Sequence, residues 1–382
     1  MNRVDIRAEL LNWALERAGI GAAESAIRFP KLKGWIAGAT RPTLKQLEGF
    51  ARATHCPVGF LFLPEPPVET IPIPDFRTVG DAGVRRPSAD LLDTIYICQQ
   101  RQEWYRDYAR SMGEAPLTFV GSIQPHGNVI DTANTIRVAL GFDLEQRRRL
   151  GTWEDALRAF IAQADDLGVL VMCSGIVANN THRKLDPQEF RGFAMADPFA
   201  PVIYINGADT KSAQMFTLAH ELVHIWAGQS GLSDVEPIHR SAYDIERWSN
   251  AVAAELLVPL AVMLAEYDRA APLADELSRL ARRFKVSTLV ILRRMHDVGG
   301  LTRDAFWAAY EDEAERLRGL IGGGGGGNFY FTEAARVSKR FARALVSSAL
   351  EGQTLYRDAF QMLSVSKLET FREFGHSLGV IA

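Results

Sequence analysis

The segment FTLAHELVHIW, residues 216–226, constrains this chain more than any other, because it sets His220, Glu221 and His224 in the spacing HExxH. On a helix, residues four apart lie one turn above each other on the same face. Two imidazoles placed that way can reach a single zinc ion. Glu221 is rotated from their axis but still within reach of a water on that ion. Phe216, Ala219, Val223 and Trp226 form an apolar stripe on the same segment. The helix is therefore expected to be buried, and three ionisable groups inside it are costly unless something pairs with them.

A second helix is expected after Ser241–Asp244, which has the S-x-x-D form of a capping box. It runs through Glu246, Asn250 and Glu255 and is stopped by Pro259. Glu246, Asn250 and Ala253 share one face. Glu246 is the expected third ligand, which leaves a fourth position to water and gives the open His2Glu set of catalytic zinc. Asn250, one turn on, is placed to hydrogen-bond a ligand imidazole. Glu255 points to another face. This set predicts hydrolysis by Glu-assisted attack of zinc-bound water: Glu221 takes the proton and passes it to the leaving amine. An oxyanion donor is also required, and Tyr204, His239 and Tyr243 are the candidates. A purely structural metal would need a fourth protein ligand, for which only His239 lies near in sequence.

Around these helices the pattern predicts an α+β, predominantly helical chain in four regions. Residues 1–75 read as short helices ending in a proline-rich connector, LPEPPVETIPIPDF, whose prolines remove backbone donors. Residues 76–165 carry helical periodicity. Residues 166–300 begin with two β-branched runs, Leu167–Cys173 and Val202–Ile205, expected as strands. The second of these is expected at a sheet edge, where a peptide substrate would add as a further strand. Residues 301–382 are helical again and contain a glycine run, residues 322–327, expected as a flexible loop.

The 382 residues exceed one ordinary domain, and 47% are apolar, enough for a sizeable core. A net charge of −3 creates no whole-chain field toward nucleic acid or anionic lipid, although a local basic face remains compatible with it. Cys56, Cys98 and Cys173 are odd in number and far apart, so they form neither a disulfide framework nor a CxxC metal knuckle. The opening MNRVDIRAELLNW lacks a signal-peptide apolar stretch, and no run approaches the roughly 18 apolar residues of a membrane span. A cytoplasmic location without a membrane partner is the expectation.

The run FTLAHELVHIW followed by ERWSNAVAAELLVP resembles the ImmA/IrrE family of metallopeptidases. The resemblance implies a zincin-like core (a small sheet plus the HExxH helix), Zn2+ as cofactor, ligation by His220, His224 and Glu246, and Glu221 as general base. It further implies a bacterial or phage-borne protein and a protein substrate such as an Xre-type repressor, whose cleavage switches on stress or mobile-element genes. Val223 departs from the small residue or glycine common before the second histidine. The stretch from Leu32 to Ala51, with Trp35, Gly38, Pro42 and Leu47, is similar to the second half of an Xre-type helix-turn-helix, but it is about four residues short ahead of Leu32. Its reading face would offer Arg28, Lys31, Lys33 and Arg41, which suit phosphate contact more than base readout. DNA binding and protein contact both stay open for this region. A second basic pair of helices, Glu276–Met295, reads either as another helix-turn-helix or as a buttress on the catalytic unit. Two functions follow: a regulatory zinc endopeptidase, or a DNA-binding regulator or antitoxin-like protein whose zincin fold is a binding module.

Overall fold

The computed structural model describes residues 3–76, 87–233, 244–318 and 334–381. The chain forms two compact units, Met1–Pro72 with Ala82–Ile95, and Ile73–Asp81 with Tyr96–Ala382.

The first unit contains α1 (Ala8–Arg17), α2 (Ala22–Arg28), α3 (Leu32–Ile36), α4 (Leu44–Ala53) and a 3-10 turn, Val58–Phe62. Leu10, Leu11, Trp13, Trp35, Leu47 and Phe50 supply its core. Thr43 and Gln46 form a reciprocal capping box that starts α4. Arg17 is buried there, with its guanidinium on the Glu69 carboxylate at 2.7 Å and on the His55 carbonyl at 2.7 Å.

α5 (Ala89–Ser111) begins in the first unit and continues into the second. There follow α6 (Val129–Leu140), α7 (Leu144–Arg149), α8 (Trp153–Leu167), β1 (Leu170–Ser174), β2 (Gly192–Met195), β3 (Val202–Asn206), α9 (Lys211–Trp226) and β4 (Gly231–Leu232). The unit continues with α10 (Asp244–Leu257), α11 (Leu260–Glu266), α12 (Leu273–Phe284), α13 (Thr288–Asp297), α14 (Arg303–Arg318), α15 (Lys339–Leu350), α16 (Tyr356–Leu363) and α17 (Leu368–Ser377). Among the described residues no single helix is long and apolar enough to cross a membrane. The glycine run 322–327 lies outside the described residues.

The sheet runs in the order β1-β3-β2-β4, with β1 and β3 parallel and the remaining pairs antiparallel. This corrects the expectation for Val202–Ile205. β3 is flanked by β1 and β2 and offers no edge; the edges are β1 and β4. All five residues of β3 are buried, which explains its unbroken apolar run: a strand covered on both faces does not alternate. Ile203 and Ile205 join the core formed with α8 and α9. The opposite face meets α5, where Cys98 Sγ lies 3.8 Å from Met172 Sδ and Gln102 donates to the Met195 and Ala200 carbonyls.

The Glu276–Met295 pair is α12 and α13, joined through Lys285, which is left-handed at φ 51°, with Ser287 capping α13. Its basic residues are largely engaged. Arg283 pairs with Glu145 and Glu266, Arg294 with Glu255 and Asp297, and Lys285 is buried over the Trp153 ring. The structure supports the buttress rather than a DNA-reading face.

Candidate metal centre

α9 is held so that its two histidines look in one direction. Thr210 caps its start by accepting from the Ala213 amide. Gly228, at φ 67°, turns the chain away just past its end. Between them Gln214 to Trp226 are all buried, so α9 is a central helix without a wet face. It lies against β2 because Gly192 has no side chain. A Cβ there would stand 2.5 Å from Thr217 Cγ2, 2.9 Å from the Tyr204 carbonyl and 3.2 Å from Glu221 Oε1.

α10 brings the third group. Glu246 Oε2 lies 3.2 Å from His220 Nε2, Glu246 Oε1 lies 3.1 Å from His224 Nε2, and the two imidazole nitrogens are 3.0 Å apart. All three side chains are buried. His220 Nδ1 meets Asn250 Oδ1 at 2.9 Å. With the amide oxygen accepting there, the proton sits on Nδ1 and the Nε2 lone pair faces His224 and Glu246.

This donor set fits a zinc ion. Ligand atoms held about 2.0–2.2 Å from one tetrahedral ion lie roughly 3.3–3.6 Å from one another. The observed separations are only a few tenths of an ångström tighter. An Nε2 lone pair aimed at a second imidazole nitrogen and a carboxylate, out of contact with water, calls for a positive charge between them. His220, His224 and Glu246 form a potential metal-holding cluster among the described residues.

The electrostatics agree. Burial pushes the Glu246 carboxyl up, but the charge and hydrogen bonds of His220, then of His224, overcome it and hold the group at about 2. Burial opposes charge on His220 as well, yet Glu246 raises its pKa, whereas burial prevails at His224 and lowers it. Glu221 is different: burial drives its carboxyl up to about 8, with His220 opposing and Glu246 adding to the rise. Ser233 Oγ donates to Glu221 Oε2 at 3.0 Å, while Glu221 Oε1 is buried without a hydrogen-bond partner.

The structure thus brings His220, Glu221, His224, Glu246 and Asn250 together. It does not bring Tyr204 to them. Tyr204 alternates to the sheet face opposite Ile203 and Ile205, stacks on Phe193 at 5.2 Å and donates its hydroxyl to the Ser174 carbonyl. An oxyanion role for Tyr204 is therefore corrected to a structural one. His239 and Tyr243 lie outside the described residues. Glu255 is engaged by Arg294 and by the Leu260 amide. Arg28, Lys31, Lys33 and Arg41 are exposed on the first unit, where Arg28 pairs with Glu24 and Arg41 with Asp5. The readings from sequence missed Gly192, Ser233, Gly231 and Phe76. An isolated glycine in an apolar run was the available signal for Gly192.

The IrrE N-terminal-like domain family matches residues 164–296. A domain family of unknown function matches residues 337–377, which contain α15, α16 and α17. The radiation response metalloprotease IrrE of Deinococcus radiodurans is 34% identical over 151 residues, covering 36% of this chain and 45% of that protein. The chain thus aligns with less than half the length of this relative. No solved structure matches. The first matched segment holds all four strands together with α9 and α10, so the part of the chain that is similar to the IrrE N-terminal-like domain is the part that carries the candidate metal centre.

Proposed function

We propose that this chain is a zinc-dependent endopeptidase that hydrolyses a peptide bond in a protein partner, with an Xre-type repressor as the favoured substrate class. The observation that carries this reading is the convergence of His220, His224 and Glu246, whose ligand atoms all lie within 4.8 Å of one another, beside the buried carboxyl of Glu221. The histidines would hold the ion through Nε2 and Glu246 through its carboxylate. Zinc supplies, when bound, a Lewis acid that polarises a carbonyl and lowers the pKa of water toward neutrality.

The remaining work falls to the protein. Asn250 fixes the His220 tautomer by accepting its Nδ1 proton. Ser233 pins one oxygen of Glu221, leaving Oε1 to take a proton from the attacking water and return it to the leaving amine. The Glu221 pKa of about 8 belongs to the site without its cation. A dication alongside brings it down toward the range in which a carboxylate exchanges protons at neutral pH. The matched relative is named for a radiation response, and a regulatory protease of stress genes is the corresponding role for this chain.

The test is capture of the partner. Glu221→Gln is expected to retain zinc and co-purify with intact substrate, while the wild type yields fragments identifiable by mass spectrometry. A purified chain that contains no zinc, and gains none when it is offered, overturns the reading.

A second reading is favoured by the exposure of Arg28, Lys31, Lys33 and Arg41 on a small helical unit. In it the protein is a DNA-binding regulator and the metal domain a binding module. Gel mobility shifts at several salt concentrations discriminate: sequence-specific binding that survives Glu221→Gln supports it.

A further inference from the structure

β4 is the edge of the sheet beside the metal centre, and its outer side is already taken. Leu232 donates to the Pro74 carbonyl at 2.8 Å and accepts from the Phe76 amide at 2.8 Å. Asp75 thus pairs with Leu232 in a parallel bridge. The Phe76 ring lies parallel to the His224 imidazole, 6° from coplanar in orientation and 6.1 Å between centroids. Its seat exists because residue 231 is glycine: a Cβ there would lie 2.2 Å from Phe76 Cε2 and 3.2 Å from the Pro74 carbonyl. Ser233, the next residue after this pairing, donates to Glu221. Backbone pairing, an aromatic seat and the proton-handling carboxylate therefore follow one another along Gly231, Leu232 and Ser233.

We propose that Gly231 and Leu232, with the face of His224, form the docking groove for an extended substrate segment carrying an aromatic side chain, and that Ile73–Phe76 fills this groove in the resting chain. Main-chain pairing to Leu232 supplies affinity that does not depend on sequence, and the seat over Gly231 supplies the selectivity. The connector reads as a substrate mimic: extended, rich in prolines, and aromatic at the position that reaches His224. A protein substrate must displace it, so the fold contains its own competitor. This assignment rests on the peptidase reading for its substrate, but the occupancy of the groove can be read without turnover.

The experiment uses the zinc-loaded full-length chain and measures how fast dipicolinate extracts the ion. Phe76→Ala removes the ring and is expected to speed extraction about tenfold or more. Gly231→Ala is expected to do the same, because the atom in its way is the tip of a side chain, which leaves its seat more readily than the sheet unfolds. A synthetic peptide of residues 70–76, TIPIPDF, should slow extraction again in Phe76→Ala but not in Gly231→Ala, whose seat is blocked for any aromatic. Cleavage of a fluorogenic peptide with an aromatic residue should rise in Phe76→Ala and not in Gly231→Ala. Extraction from Phe76→Ala within twofold of wild type overturns the groove, whatever the peptidase activity. Faster extraction that the peptide reverses, with no cleavage by any form, upholds the groove and removes the peptidase reading. Failure of the wild type to bind zinc at all removes both.

Discussion

Asn250→Ala separates a residue that positions a ligand from one that merely fills space. Asn250 Oδ1 and His220 Nδ1 are 2.9 Å apart, and both side chains are buried. Truncation leaves an imidazole N–H without a partner in a dry site, at a cost of about 1–3 kcal/mol. It also frees the ring to rotate and to shift its proton to Nε2, where the lone pair is needed. Removal of such a partner of a ligating histidine weakens metal binding about 10–100-fold, which is about 1.4–2.7 kcal/mol. The two estimates are independent and agree. Because a ligand stabilises the folded state by RT ln(1 + [L]/Kd), the extra stability conferred by a fixed excess of zinc should shrink by about the same 1.4–2.7 kcal/mol. The assay is urea unfolding of wild type and variant with and without zinc, together with competition against a chromophoric chelator. Asn250→Asp keeps an acceptor at the same place and should restore affinity to within about threefold of wild type. The reasoning is refuted if Asn250→Ala lowers the stability of the metal-free chain but leaves the zinc increment intact, for then the side chain only packs.

The remaining expectations concern the same helix and its surroundings. Glu221→Gln should keep zinc by metal analysis and lose cleavage, whereas His220→Ala should lose both; retention of cleavage by Glu221→Gln would remove this carboxylate from the chemistry. Gly192→Ala forces a methyl against Thr217 Cγ2 and the Tyr204 carbonyl, and should cost about 1–3 kcal/mol of stability by overpacking; Thr217→Ser in the same chain removes the opposing methyl and should recover part of the loss, and no recovery in the double-mutant cycle would place the strain elsewhere. Burial pushes the Cys98 thiol up to about 12, with Arg101 opposing, so at pH 8 only about one thiol in ten thousand is ionised; Cys98 should resist iodoacetamide in the folded chain and react once unfolded, and labelling of the native protein at the rate of a free thiol would contradict its burial.

What could be read from the sequence was local. HExxH sets two imidazoles on one helical face whatever surrounds them, and Glu246 lies near enough to the start of its own helix to be singled out by spacing. The relations between distant segments were not legible. β2, Gly192–Met195, is four residues without a β-branched side chain, and β4 is two residues long; neither carries a periodic signal. With both unseen, β3 looked like an edge, although its unbroken apolar run already pointed to a strand covered on both sides. Phe76 sits inside a proline-rich strip whose composition says connector, and nothing local says that the strip returns to a sheet edge. The arginines of α12 and α13 show their charge in the sequence, but their partners Glu145, Glu255 and Glu266 are supplied by other elements.

Those partners explain why so much of the second unit surrounds the two helices of the candidate metal centre. α10 carries Glu246 in its first turn, where a carboxylate is favoured by the helix dipole. At its other end the carbonyls that an isolated helix leaves open are taken by guanidiniums from three different helices. Arg137 donates to the Glu255 carbonyl at 2.6 Å, Arg147 to the Leu257 carbonyl, and Arg294 to the Val258 carbonyl at 2.8 Å, while Arg294 also pairs with the Glu255 side chain. Glu246 is eleven residues from Leu257, about 16 Å along the axis, so the clamp contributes nothing directly to the metal's coordination. It fixes the axis of α10 against α6, α7 and α13, and that axis decides where Glu246 meets the two histidines of α9. A displacement of about 1 Å at a reacting group can cost two orders of magnitude in rate. Arg294, whose charge in the Glu276–Met295 pair suggests a nucleic-acid surface, is therefore better understood, with Arg137 and Arg147, as a distant support of one carboxylate.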